Sequence, residues 1–152
     1  MMKRFVQTLF STSLLMFVGT LAVQAQIIAN KKLSESDLGA AQAETKSAGG
    51  KDAQLIYATR LDPVQKGVFD SLVVVYGKGQ ETYAMVVRAG KRYMLKADPS
   101  GQAVKAGEQF QRLGVRYEDG KTPLLRLFAV ANGGLHNADY RYNGTEFVTE
   151  QP

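Results

Sequence analysis

The sequence predicts an all-β fold: a compact antiparallel sheet, small sandwich or open barrel, preceded by a flexible amino-terminal segment. Three observations predict it. After Asp52, short runs of β-branched and aromatic residues are separated by Gly, Asn, Asp and Pro, which is strand punctuation. Two of these runs, 72–76 and Leu124–Ala131, are apolar on both faces apart from Arg126, the pattern of central strands. Ala89-Gly90-Lys91 and Asn143-Gly144 read as hairpin turns, because Gly and Asn accept the positive φ of tight connections.

The chain opens with Lys3-Arg4, then an apolar run from Leu9 to Val23 that closes on Val23-Gln24-Ala25. A short basic region, an apolar segment too short for a stable span and small residues before the cut make a secretory signal peptide over residues 1–25. Cleavage near Ala25 leaves residues 26–152, enough for one domain. No cysteine follows the signal to carry a lipid, and no second apolar run is long enough to span a membrane. An exported protein, secreted or periplasmic and soluble, is expected.

Residues 26–52 are rich in Ala, Ser, Gly, Lys and Gln and read as a flexible tether. Within it, Ser34-Glu35-Ser36-Asp37 before residues 38–45 carries the signals of a short helix, a serine N-cap with acids in the first turn. The β domain follows over residues 53–152, with strands expected at Gln54–Leu61, 71–76, 82–89, 92–97, 110–117, Leu124–Ala131, 139–142 and 146–149. In 110–117, Leu113, Val115 and Tyr117 share one side while Arg112 and Arg116 share the other. That alternation predicts a strand with one wet face. Gly77-Lys78-Gly79 and the stretch from Asn132 to Asn137 read as strand connections.

Residues 67–95 can be laid on residues 120–148 without a gap, a match of pattern with few identities. The first lead-in runs Asp62-Pro63-Val64-Gln65-Lys66-Gly67-Val68-Phe69-Asp70 before the apolar residues 72–75. It resembles the calcium loop and strand of FG-GAP or VCBS repeats, the units of integrin-type β-propellers, in which D-x-D-x-D-G-x-x-D precedes an apolar strand. Asp62, Gly67 and Asp70 fit the first, sixth and ninth places, but Val64 and Lys66 replace two oxygen ligands. The second copy keeps Asp119 and Gly120 and puts Pro123 where the last carboxylate belongs. A hard cation needs six to eight oxygens, so no bound metal is expected, and two such units cannot close a propeller.

Composition excludes more chemistry than it offers. There is no cysteine, which removes thiol catalysis, thiolate zinc sites and iron–sulfur clusters, and leaves burial alone to hold the domain. A single histidine, His136, rules out paired-histidine metal motifs. The formal charge of +5 falls to +3 once Lys3 and Arg4 leave with the signal, too little to suggest nucleic acid as a partner. The Gly-rich pieces do not open a helical pattern, so no dinucleotide or phosphate cofactor is expected. Glu118-Asp119 and Glu146 with Glu150 lack the apolar surroundings that would raise a carboxyl pKa. Asn143-Gly144-Thr145 matches a glycosylation sequon, but the hairpin turn accounts for the same residues.

Tyrosines and arginines interleave at Tyr83, Arg88, Arg92 and Tyr93, and again at Tyr140, Arg141 and Tyr142. On strands they can offer a stacking and hydrogen-bonding face to a protein, peptide or glycan; equally, the tyrosines can pack as half-buried core beneath arginines. The expected function is therefore a non-catalytic binding or interaction role. Two alternatives are a small secreted hydrolase using His136 and Asp139, and a structural envelope-associated protein.

Overall fold

A computed structural model of the chain describes residues 33–150; the expected signal peptide lies outside them. A helix, α1 (Glu35–Gly49), precedes eight strands: β1 (Gln54–Leu61), β2 (Ser71–Lys78), β3 (Glu81–Arg88), β4 (Lys91–Leu95), β5 (Gln109–Arg116), β6 (Leu124–Ala131), β7 (Gly134–Tyr142) and β8 (Phe147–Glu150). They form two antiparallel four-stranded meanders, sheet A in the order β1-β2-β3-β4 and sheet B in the order β5-β6-β7-β8. The fold is all-β with two facing sheets, as expected, and β2 and β6 are inner strands. Every residue from Ser71 to Tyr76 is buried.

The two sheets share one core. Val73, Val75, Ala84, Val86 and Leu95 of sheet A meet Leu113, Leu125, Leu127, Ala129, Tyr140 and Phe147 of sheet B. The opposite face of sheet A carries Ala58, Leu72, Val74, Tyr76 and Met85, which form a second cluster with Ala41 of α1. Alternation along each strand makes this double use possible, since i and i+2 share a face while i+1 turns away. Val74 under the helix and Leu127 between the sheets are both essentially sealed from solvent.

Residues 35–49, placed by composition in a tether, are a helix packed on β1 and β2. Ser34 accepts a hydrogen bond from the Asp37 N–H at 3.1 Å, and Glu35 and Asp37 sit in the first turn, as the cap signals predicted. At the other end Lys46 Nζ donates to the carbonyls of Lys51 and Ala53, each at 2.8 Å. The buried stripe is Ala41, Thr45 and Gly49. These are small residues, so the helix has almost no apolar periodicity of its own, and the large partners belong to the sheet. Ion pairs from Asp37 to Arg60 and from Glu44 to Arg92 hold it at two points.

A shift of 53 residues carries Ser71–Lys78 onto Leu124–Ala131, and a shift of 55 carries Gln54–Leu61 onto Gln109–Arg116. The register slips at matching places, between Leu55 and Tyr57 in β1 and between Phe110 and Arg112 in β5. Yet the sheets do not use matching faces. Leu72, Val74 and Tyr76 lie under α1, while Leu125, Leu127 and Ala129 at the shifted positions face the core between the sheets. Where Val73 and Val75 face that core, sheet B has Arg126 and Phe128 on its outer side. The layers are thus stacked in the order α1, sheet A, sheet B, and the outer face of sheet B carries Arg126 paired with Asp139.

Candidate functional site

The site is built by β7. Asn132 (φ 51°) and Gly133 (φ 74°) form a two-residue turn with both residues left-handed, and Ala131 pairs with Gly134. This geometry suits the right-handed twist of a hairpin and closes on a hydrogen-bonded pair. From there the antiparallel ladder alternates: His136, Ala138 and Tyr140 turn their backbone groups toward β6, while Leu135, Asn137, Asp139 and Arg141 turn theirs to the other side. The far hairpin gives the same parity, since the Asn143 N–H donates to the Glu146 carbonyl at 3.0 Å. On that side β8 covers only part of the strand. Its last pair is Asp139 with Glu150, so the backbone edge of residues 134–138 has no strand beside it among the described residues. The strand thus starts at Gly134, five residues before the expected start at 139, and takes in most of the stretch 132–137 that is expected as a connection. The stretch Leu135-His136-Asn137 has no apolar alternation to mark it, and pairing with β6 makes it a strand.

Beside this open edge lies a cavity of about 610 Å³. Leu127, Ala129 and Ala138 line it from sheet B, and Ala97 and Ala103 from the β4–β5 connection. That connection is anchored where the Ala103 N–H donates to the Thr82 carbonyl at 3.0 Å. Elsewhere Leu113, Val115, Leu125, Tyr140 and Phe147 of sheet B fill the core; the alanines leave the space. Charged Lys105, Glu108, Arg126, Asp139 and Glu150 also line it, and no Phe, Tyr or Trp stands among its described lining residues.

Arg126 and Asp139 face each other in the ladder and are joined by two hydrogen bonds of 2.7 Å. These bonds hold the Asp139 carboxyl below its ordinary pKa against the opposing effect of burial, and Asn137 Nδ2 adds a bond at 3.3 Å. His136 and Asp139 both line the cavity but are three residues apart on one strand, an odd spacing that sends their side chains to opposite faces. The His136 imidazole instead stands beside Gly134, where an added Cβ would meet Nε2 at 3.4 Å. His136 is exposed, and Asp139 is engaged by arginine. Of the carboxylate pairs, Glu118 bonds Arg141 at 3.2 Å and Glu150 pairs with the same guanidinium.

The interleaved tyrosines and arginines are not brought together as one surface. Tyr83 stacks on Tyr76 with ring centroids 5.3 Å apart, and Arg92 pairs with Glu44; both lie on the α1 side of sheet A. Tyr93 meets Tyr142 and Phe147 edge-on, each at 5.8 Å, in the seam between β4 and β8. Arg88 lies over Tyr142 at 5.6 Å and bonds Asp70 at 2.8 Å. Tyr140 is buried in the core, and Arg141 belongs to the outer face of sheet B with Glu118 and Glu150.

In the loop that resembles a calcium loop, Asp62 Oδ2 accepts from the Gly67 N–H at 2.7 Å and the Tyr117 hydroxyl at 2.6 Å. Asp70 accepts from Arg88 Nε and Ser71 Oγ, and Lys66 Nζ lies 5.0 Å from the Tyr117 ring centre. Among the described residues no three His, Cys, Asp or Glu side chains are grouped to hold a metal. The residues that sequence reasoning missed are Leu135, Asn137, Ala138 and Ala103. The Asn132-Gly133 pair was the signal that could have placed the first three on a strand. In comparisons with protein-family models, with curated proteins and with solved structures, the chain matches none.

Proposed function

We propose that this chain is an exported, non-catalytic binding domain whose ligand sits in the cavity at the open edge of β7. The observation that carries the reading is the cavity itself: about 610 Å³, within the size range of small-ligand sites, with Ala97, Ala103, Leu127, Ala129 and Ala138 in its lining beside charged Lys105, Glu108, Arg126, Asp139 and Glu150. The separation of His136 from Asp139 supports a binding role over hydrolysis, because a general base needs an orienting partner within hydrogen-bond reach. The alanine lining favours a peptide over a glycan, since sugar faces are recognised by stacked aromatic rings.

The test is to fill the space. Ala138→Leu, made in the exported chain and checked for an unchanged melting profile, should abolish capture of ligands selected from a displayed peptide library and a glycan array. Ligands selected by the parent that bind Ala138→Leu equally would place the site elsewhere. Hydrolysis of p-nitrophenyl acetate above the buffer rate, lost in His136→Ala, would return the hydrolase in its place.

A further inference from the structure

Sheet edges are where backbone hydrogen-bonding groups stand free, and proteins protect them with charges, prolines, bulges or short strands. Three of the exposed edges here are protected in those ways. Strand β4 carries Lys91 and Arg92, β1 has its register slip beside Ile56 and an arginine at Arg60, and β5 has the matching slip with Arg112 and Arg116. The fourth, β8, is four residues long and ends on Glu150. The open part of β7 reads Gly134-Leu135-His136-Asn137-Ala138. It has no charged residue, no proline and no slip in its register with β6. Leu135 within it is 61% exposed, the most exposed large hydrophobic residue among the described residues.

We propose that the ligand is an extended peptide that adds to sheet B as a strand along residues 134–138, continuing the line of β8, with one apolar side chain seated in the alanine-lined cavity. This inference rests on the cavity being the binding site. Leu135 and Asn137 present N–H and C=O groups that no strand pairs among the described residues, and another extended backbone has matching donors and acceptors at the same repeat. Peptide residues opposite His136 and Ala138 turn toward the core side, where Ala97, Ala103 and Ala129 leave room; residues opposite Leu135 and Asn137 turn outward. Specificity then comes from one inward apolar residue between outward residues that tolerate change, and affinity from the ladder.

The experiment uses the exported chain and a seven-residue peptide selected from a displayed library. Each peptide amide is N-methylated in turn, which removes one donor without changing the side chain. Strand addition expects about tenfold loss or more at alternate amides, those facing Leu135 and Asn137, and little change between them, from the worth of a buried hydrogen bond. In amide exchange, Leu135 and Asn137 should be unprotected in the free protein and protected with peptide, while His136 and Ala138 are protected in both. Leu135→Lys, an outward-facing change that keeps both backbone groups, should leave binding nearly unchanged. If Ala138→Leu abolishes binding but the N-methyl scan shows no alternation, the cavity reading survives and strand addition fails. If neither change matters, both fail.

Discussion

The Tyr117 hydroxyl donates to Oδ2 of Asp62 across 2.6 Å, tying the residue after β5 to the residue after β1. The 55-residue shift that superposes those strands also relates these two positions. Asp62 is only 1% exposed, and its carboxylate is satisfied by Tyr117 together with the Gly67 N–H, as a buried acceptor requires. The bond to Asp62, with some burial, pushes the Tyr117 pKa up to about 12.

A folded-state pKa above the unfolded value of about 10 means that Tyr117 contributes its full stability below pH 10 and loses it as the pH rises through 12. Tyr117→Phe should therefore cost about 1 kcal/mol near neutral pH, the usual worth of one hydrogen bond. The gap from the parent should close in denaturant titrations above pH 11. A gap that stays constant to pH 12 would show that the hydroxyl makes no bond in solution.

Tyr140 gives the opposite case. Its hydroxyl is buried with no hydrogen-bond partner among the described residues, and burial, helped by the Asp98 charge, pushes its pKa to about 12. Removing an unsatisfied buried hydroxyl relieves a desolvation cost. Tyr140→Phe should leave stability unchanged or raise it by about 1 kcal/mol at pH 7. Its advantage should grow from pH 10 to 12, where the unfolded parent ionises and the folded one does not. A loss above about 1 kcal/mol would reveal a partner for the hydroxyl.

Two glycines in α1 test whether the helix is docked. At Gly39 an added Cβ meets nothing within 4 Å, whereas at Gly49 it would lie 2.5 Å from Ala53 Cβ and 2.7 Å from a Tyr76 ring carbon. Gly39→Ala should stabilise by about 0.5–1 kcal/mol through helix propensity. Gly49→Ala should destabilise by about 1–3 kcal/mol through overpacking. Equal, small effects in thermal melts would mean that residues 35–49 do not pack on β2.

Calcium should not act on the loop between β1 and β2. Asp62 and Asp70 are committed to Tyr117, Gly67, Arg88 and Ser71, and the third and fifth places hold Val64 and Lys66. Melts with millimolar calcium and with chelator should superimpose, where micromolar binding would add about 4 kcal/mol at a thousandfold excess. A large rise in melting temperature, removed by Asp70→Ala, would restore the loop as a metal site.

Most of the strand inventory is legible in the sequence, because β structure records its two faces locally; the first half of β7 is the exception. The apolar runs of β2 and β6, the Arg112 and Arg116 side of β5 and the Ala89-Gly90 turn are legible without a partner. The Ser34 cap also marked where α1 begins. Only the tertiary structure decided that α1 packs, since its contact stripe of Ala41, Thr45 and Gly49 is small and the apolar mass belongs to the sheet beneath it. The same holds for Tyr83, Arg92, Tyr140 and Arg141: residues of similar alternation go to three different surfaces because each face is set by what the neighbouring layer covers. The open edge at Leu135 and Asn137 depends on where β8 stops, a property of pairing between strands that no single segment carries.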